Sequence, residues 1–406
     1  VVFNANGVSS YSGGWKASSL TASATNSDNL DVTTNSLTAA VLNGSGTEVS
    51  TTVSHKAQTD VTGNVTTSGK QAYTAANEVS HAVDLKGNGY GGATVNANSM
   101  TSNLGYAAKV NLNKANLATT GEGGSLTAAA GTGGTMAYLN QLKSAGVIPV
   151  TVAKSTNTVN YDNGVSATDS TLTTGKANQD ITLAANDDTT VSFKTVADTQ
   201  GGAVGAASAS MTNTLSRSNK IALSGGKLES MNDVNLYAGA DQEGINSSLD
   251  YSAISDAYNR TTLPIATAPS LTNTMTQANQ VAIDGTVDSV RHTNLKAGKG
   301  LTTVAESAQE YNVYTGDKGN GSVTSTALGT HTGNENTDNM VSLGAKGSVT
   351  AGIHTDLAVT IDGKSKQTGT GEDTKLDVSG ITVTVNKGKD WFSPASVEKS
   401  SVLLQN

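Results

Sequence analysis

The residues able to do chemistry are few and scattered. His55, His81, His292, His331 and His354 stand singly, with no second histidine at ligand spacing, so no zinc site is offered. His354 and Asp356 lie two apart, which on a strand puts both on one face. A surface hydrogen bond accounts for them better than a catalytic dyad. Asp187-Asp188 and Glu372-Asp373 are paired acids, the residue types needed for calcium ligation or acid–base work. Adjacent strand residues point opposite ways, and both pairs sit beside turn formers, so they read as solvated turns. No G-x-S-x-G elbow, P-loop or H-E-x-x-H occurs. Gly121-Glu-Gly-Gly and Gly131-Thr-Gly-Gly lack the repeated pattern of calcium-binding β-rolls. The expectation is no catalytic, cofactor-binding or metal residues, no cofactor, and a protein that is not an enzyme.

What remains to explain is a repeat. Residues 211–239 and 271–298 match with a one-residue slip at Gly225, sharing Asn219/Asn279, Gly226/Gly285, Asn235/Asn294, Leu236/Leu295 and a closing Ala-Gly. A looser third copy carries Asn339, Val341, Leu343, Gly347 and Val349, so Asn219, Asn279 and Asn339 are sixty residues apart each time. A fixed period points to a stacked array rather than one closed core. Within the second copy Val281, Ile283, Val287 and Val290 nearly alternate, broken by Asp284-Gly285, which reads as strand, turn, strand. All four are expected to point inward, with Ile221 stacked on Val281. The three asparagines are expected at equivalent turn or strand-entry positions. A shorter echo, Asn294-Leu-Lys-Ala-Gly and Asn312-Val-Tyr-Thr-Gly, recurs after eighteen residues and suggests a coil of that size. About 20 such coils would make a rod of roughly 95 Å. The fold expected is all-β, a parallel β-helix (β-solenoid) with short helical insertions and a helix beginning near the C-terminus.

Along the chain, residues 1–135 are Ser/Thr/Asn/Gly-rich with short alternating runs and show no fixed spacing that ties them to the solenoid. Residues 136–149 place Met136, Leu139, Leu142 and Gly146 on helical spacing before Pro149, predicting a short helical insertion. Residues 150–390 are the repeat-containing solenoid, with Asn186-Asp-Asp188 as a turn and 245–270 as a loop thrown out from the stack. Residues 391–406 start a helical tail: Ser393 as N-cap, Pro394 at the first helical position, Trp391 and Phe392 sealing the end.

Composition narrows the partners. Of 406 residues only 14 % are charged and four are proline, while Val, Ile and Leu recur in alternation, which favours a folded β-rich repeat over disorder. The net charge of −8 excludes nucleic acid and anionic membrane as expected partners. Cysteine is absent, which suits an exported bacterial protein. No apolar run approaches the ~20 residues of a spanning helix, so no membrane insertion by this segment is expected. The start at Val1-Val-Phe3 without Met suggests a processed or trimmed part of a longer chain.

Residues 210–400 resemble the leukotoxin-related filamentous adhesin family. The resemblance is carried by Asn279-x-Val-x-Ile-x-Gly-x-Val-x-Ser289, Asn294-Leu-Lys-Ala-Gly298, Tyr311-Asn-Val-Tyr314, Leu263-Pro-Ile-Ala-Thr-Ala-Pro269 and Asp390-Trp-Phe-Ser-Pro-Ala-Ser-Val397. It implies a two-partner-secreted, filamentous-haemagglutinin-like surface protein with an extracellular, cell-surface location and no catalytic residues to carry over. The function expected is a structural filament or adhesin, whose partners are other copies of itself, missing parts of a longer chain, or a host surface or carbohydrate. The alternative class is a β-helical polysaccharide-acting enzyme or host-carbohydrate-binding module.

Overall fold

The computed structural model describes residues 2–240, 247–265, 269–298, 301–314, 322–328, 330–352, 354–360 and 399–405. Among them there is no helix, and the chain is wound as a stack of parallel strands. Leu20, Gln71, Leu126, Ile181, Val234, Thr293, Thr355 and Ser400 are hydrogen-bonded neighbours in one column, each a turn of the chain beyond the last. The architecture is therefore a parallel β-solenoid, and it begins within the first twenty residues: Val2–Tyr11 pairs in parallel with residues 52–61.

One coil is much longer than eighteen residues. Stacked partners are 51 residues apart at Asn26/Asn77, 56 at Asn157/Asn213 and 60 at Asn213/Asn273. The sixty-residue period is thus one coil, and seven steps of ~4.8 Å give a stack on the order of 34 Å, not 95 Å. The eighteen-residue echo is not structural equivalence. Asn294 pairs with Asn235, whereas Asn312 pairs with Asn259 in another column.

Each coil folds back on itself so that two long walls face each other. In the coil beginning at Leu126, one wall turns Leu126, Ala128 and Ala130 inward, then Thr132, then Met136 and Tyr138, then Asn140, then Leu142. The returning wall meets these in reverse, with Ala153, then Ser155 and Asn157, then Val159 and Tyr161, then Asn163, then Val165 and Ala167. The interior is consequently three apolar lobes separated by two polar seams. Strict alternation along both walls is what keeps each type of side chain in its lobe, coil after coil.

A corner between the second wall and a short closing strand needs a left-handed residue. Gly63, Lys114, Asp169, Gly225 and Gly226 all have positive φ there. A Cβ on Gly226 would collide with the Ser170 backbone one coil below, so glycine is required for close approach as well as for φ. The slip seen in the repeat is this corner: Asp284 pairs with Ser224 and Thr286 with Lys227, so two glycines oppose Gly285 alone.

Several expectations need correction. Residues 136–149 are not helical but lie in the strand Leu126–Thr168, with Met136, Tyr138, Asn140 and Leu142 inward at period two. A wall segment must exchange backbone hydrogen bonds with the coils on either side, and a helix would leave those groups unpaired. The expected loop at 245–270 contains the strand Ser248–Arg260, paired with residues 188–200. Asn186-Asp-Asp188 is no turn but part of the strand Ile181–Gln200. Val281, Ile283 and Val287 are buried and Ile221 does stack on Val281, but Val290 is only half-buried, at a bend; Ser289 holds the inward place. The expected helix start at Ser393-Pro394 lies outside the described residues, and Lys399–Gln405 beyond it is a strand.

Replacing Ile283 with Asp should destabilise the stack by roughly 3–5 kcal/mol, because the wall leaves no partner for a buried carboxylate. A thermal melt followed by circular dichroism checks this, and an unchanged midpoint would count against the inward placement.

Candidate functional site

The strongest electrostatic feature is inside, in the first polar seam. Asp187 descends inward from one wall and Arg217 from the other, thirty residues on. The guanidinium Nε donates to Asp187 Oδ2 at 2.8 Å and a terminal nitrogen lies 2.6 Å from the same oxygen. Both side chains are essentially without solvent contact, at 1 % and 0 % exposure. The second terminal nitrogen donates to Gln277 Oε1 at 2.8 Å, one coil further on. Asn219 Nδ2 donates to Asp187 Oδ1 at 2.7 Å, so both carboxylate oxygens are satisfied.

Asparagine ladders continue the seams. Asn163 donates to Asn219 at 3.1 Å and Asn219 to Asn279 at 3.0 Å; in register, Asn339 follows Asn279. In the second seam Asn157 donates to Asn213 at 2.8 Å and Asn213 to Asn273 at 2.7 Å. Asn219, Asn279 and Asn339 are therefore equivalent, as the sixty-residue spacing predicts, but within strands rather than at turns, and Asn219 and Asn279 are fully buried. An amide both donates and accepts, so one residue type repeated at strand spacing can satisfy itself along the stack.

Two histidines are not alone after all. Nearer the first coil, Asp28 Oδ2 lies 2.6 Å from His81 Nε2, 3.2 Å from the Tyr106 hydroxyl and 3.7 Å from His55 Nε2. His81 Nδ1 is 2.8 Å from the Tyr138 hydroxyl, so an Nε2–H tautomer donates to Asp28 and accepts from Tyr138. Above them the rings stack coil on coil: His55 on Tyr106 on Tyr161, and Tyr138 on Phe193, at centroid spacings of 5.6 to 6.1 Å. In the next coil Arg217 takes the place in the column that Tyr161 holds below. Burial pushes the Tyr106 and Tyr138 hydroxyls well above the usual tyrosine range, with the Asp28 charge adding to it. Burial also lowers the His81 imidazolium from its ordinary 6.5, opposed by the hydrogen bond and charge of Asp28. An Asp–His–Tyr relay has the composition of a proton-transfer site, and here the His81 side chain has no solvent contact and both its ring nitrogens are used within the cluster.

The other expected residues disperse. His292 donates its backbone N–H to Asp233 and holds the same carboxylate oxygen with its ring, both at 3.1 Å. His354 pairs with His292 and Asp356 with Asn294 in the ladder. Glu372-Asp373 lies outside the described residues, and no cluster of potential metal ligands occurs among those described. Asp188 stays on the outer face, where Ser248 donates to it. It borders a cleft of about 330 Å³ across three coils, lined by Thr74, Ala76 and Glu78, by Ala129, Gly131 and Gly133, and by Ala184 and Asn186. No signal within any one segment announces this cleft, because its residues are a coil apart.

Comparison with known proteins yields no match to a family model, a curated protein or a solved structure.

Arg217→Met should cost roughly 3–5 kcal/mol by stranding Asp187, while Arg217→Met with Asp187→Leu should recover most of the loss. Paired thermal melts measure the difference; equal loss in both variants would contradict the ion-pair account. The His81 shift fixes a second outcome. The folded state holds the neutral ring, so below about pH 6.5 the unfolded chain binds more protons and stability falls as pH drops. Urea midpoints at pH 8 and pH 5 should differ in that direction, and the difference should shrink in His81→Phe.

Proposed function

We propose that this chain is a non-catalytic structural element of an extracellular bacterial filament or adhesin, displayed at the cell surface and stacking head to tail with other copies of itself. The observation that carries the reading is the first coil. Residues 20–49 pair with 71–100 on one side, and among the described residues no strand pairs with them on the other. Inward residues from Ala22 to Leu30 are buried, but from Val32 to Val49 they are half-exposed where their neighbours one coil on are buried: Val32 against Val83, and Val49 against Met100. Leu37, Val41 and Leu42 at its far end are 72 %, 82 % and 79 % exposed.

Such an edge offers a row of N–H and C=O groups with no strand beside them, which is a template for another coil. A contact between unlike ends does not close on itself and propagates as a fibre. The resemblance of residues 210–400 to leukotoxin-related filamentous adhesins supports the same reading, including export and surface display. A parallel stack held by ladders along its whole length also suits a load-bearing rod, since each coil's groups are satisfied by its neighbours.

Sedimentation velocity at tens of micromolar, with electron microscopy of the same sample, tests the assembly. Fibres are expected, and Val41→Lys with Leu42→Lys should abolish them while leaving the thermal midpoint within about 1 °C, as both side chains are exposed. A wild-type monomer without fibres would overturn self-assembly by this chain.

A further inference from the structure

The outer cleft contains a polar group with no use in the fold. Alternation turns Asp187 inward and therefore Asn186 outward, into the cleft, with 5 % exposure. Neither its amide oxygen nor its amide nitrogen has a hydrogen-bond partner. A buried side-chain amide left unsatisfied is costly, and where one persists it commonly serves a ligand.

The register defines what surrounds it. One column across the three coils reads Ala76, Gly131, Asn186, and the next outward column reads Glu78, Gly133, Asp188. The two carboxylates thus flank a glycine, one coil to either side, with the amide two residues back along the strand. Beside them the outward side chains of the lining are Thr74 and the alanines Ala76, Ala129 and Ala184.

We infer that this cleft binds the side chain of a lysine carried on an extended peptide. An ammonium has three donors and no acceptor, and the cleft sets three acceptors round it: the Glu78 carboxylate, the Asp188 carboxylate that also accepts from Ser248, and Asn186 Oδ1, which lies buried without a partner. The unbranched stem lies on the alanine methyls, as lysine stems do on apolar surface. Asn186 Nδ2 needs an acceptor, which a backbone carbonyl of the peptide provides and a free polyamine lacks. Calcium is a poorer fit, because it takes six to eight oxygens, whereas Glu78, Asp188 and Asn186 supply at most five and the two carboxylates stand two coils apart. Anions are repelled by both carboxylates. The cleft lies on the outer face of the wall and spans the second to fourth coils, whereas assembly uses the edge of the first coil, so this inference stands or falls separately from head-to-tail assembly.

The probe is a fluorescein-labelled, terminally blocked Ala-Lys-Ala peptide, followed by anisotropy against the whole chain, beside the same peptide with norleucine in place of lysine. Saturable binding by the lysyl peptide is expected, weakened at least tenfold by the norleucine exchange and by Asn186→Ala, and reduced by salt. Gly133→Leu should abolish it. A Cβ at Gly133 meets Asp188 O at 3.5 Å, an ordinary contact, and the residue does not need positive φ. Should that variant fail to fold, Glu78→Gln with Asp188→Asn serves instead, as both side chains are exposed on the outer face. Equal binding of the two peptides, undiminished binding by a folded cleft variant, or binding of calcium or spermidine without the lysyl peptide would each overturn the inference.

Discussion

Among the described residues, an inward side chain meets its equivalents one coil above and below and the wall opposite. Buried amides, hydroxyls and charges must therefore satisfy each other along the stack or across it. Asn163, Asn219 and Asn279 do the first; Arg217 and Asp187 do the second. The in-register ladder is the condition on which the apolar lobes, the corner glycines and the open end coil all depend.

The polar seams have a specifying role that apolar columns lack. A wall of Val, Ile and Leu can slip by two residues and stay buried. A slip in the coil containing Asp187 would separate it from Arg217 and Asn219 and leave a charge buried without a partner. The seams also keep the lobes at a constant width, so aromatic rings such as Tyr138 and Phe193 always stack in the middle lobe. Asp28 with His81, Tyr106 and Tyr138 shows the same logic with ionisable groups, each bonded to a neighbour across or along the stack.

Outward faces are freed by that arrangement. Once registration is secured internally, the outer wall can carry small residues and glycines over several coils without loss of pairing. The cleft around Gly131 and Gly133 arises where three coils do so together. The edge of residues 20–49 is the other surface with no strand beside it among the described residues.

What the sequence by itself determined is everything expressed within one strand or at one fixed period. The inward set Val281, Ile283 and Val287, the equivalence of Asn219 with Asn279, and the slip at Gly225 all follow from period two or period sixty. The all-β parallel class follows from the same patterns. Tertiary structure alone decided the size of the coil, since an eighteen-residue echo and a sixty-residue repeat are equally periodic until hydrogen-bond partners are known. It alone turned Met136–Ile148 from helical spacing into strand, because the neighbouring coils supply the backbone partners. It also made Asp187 a buried ion rather than a solvated turn residue, through an arginine thirty residues away that local reading has no means of pairing with it. Local pattern sets which face a residue takes; only the stacked register sets what it meets there.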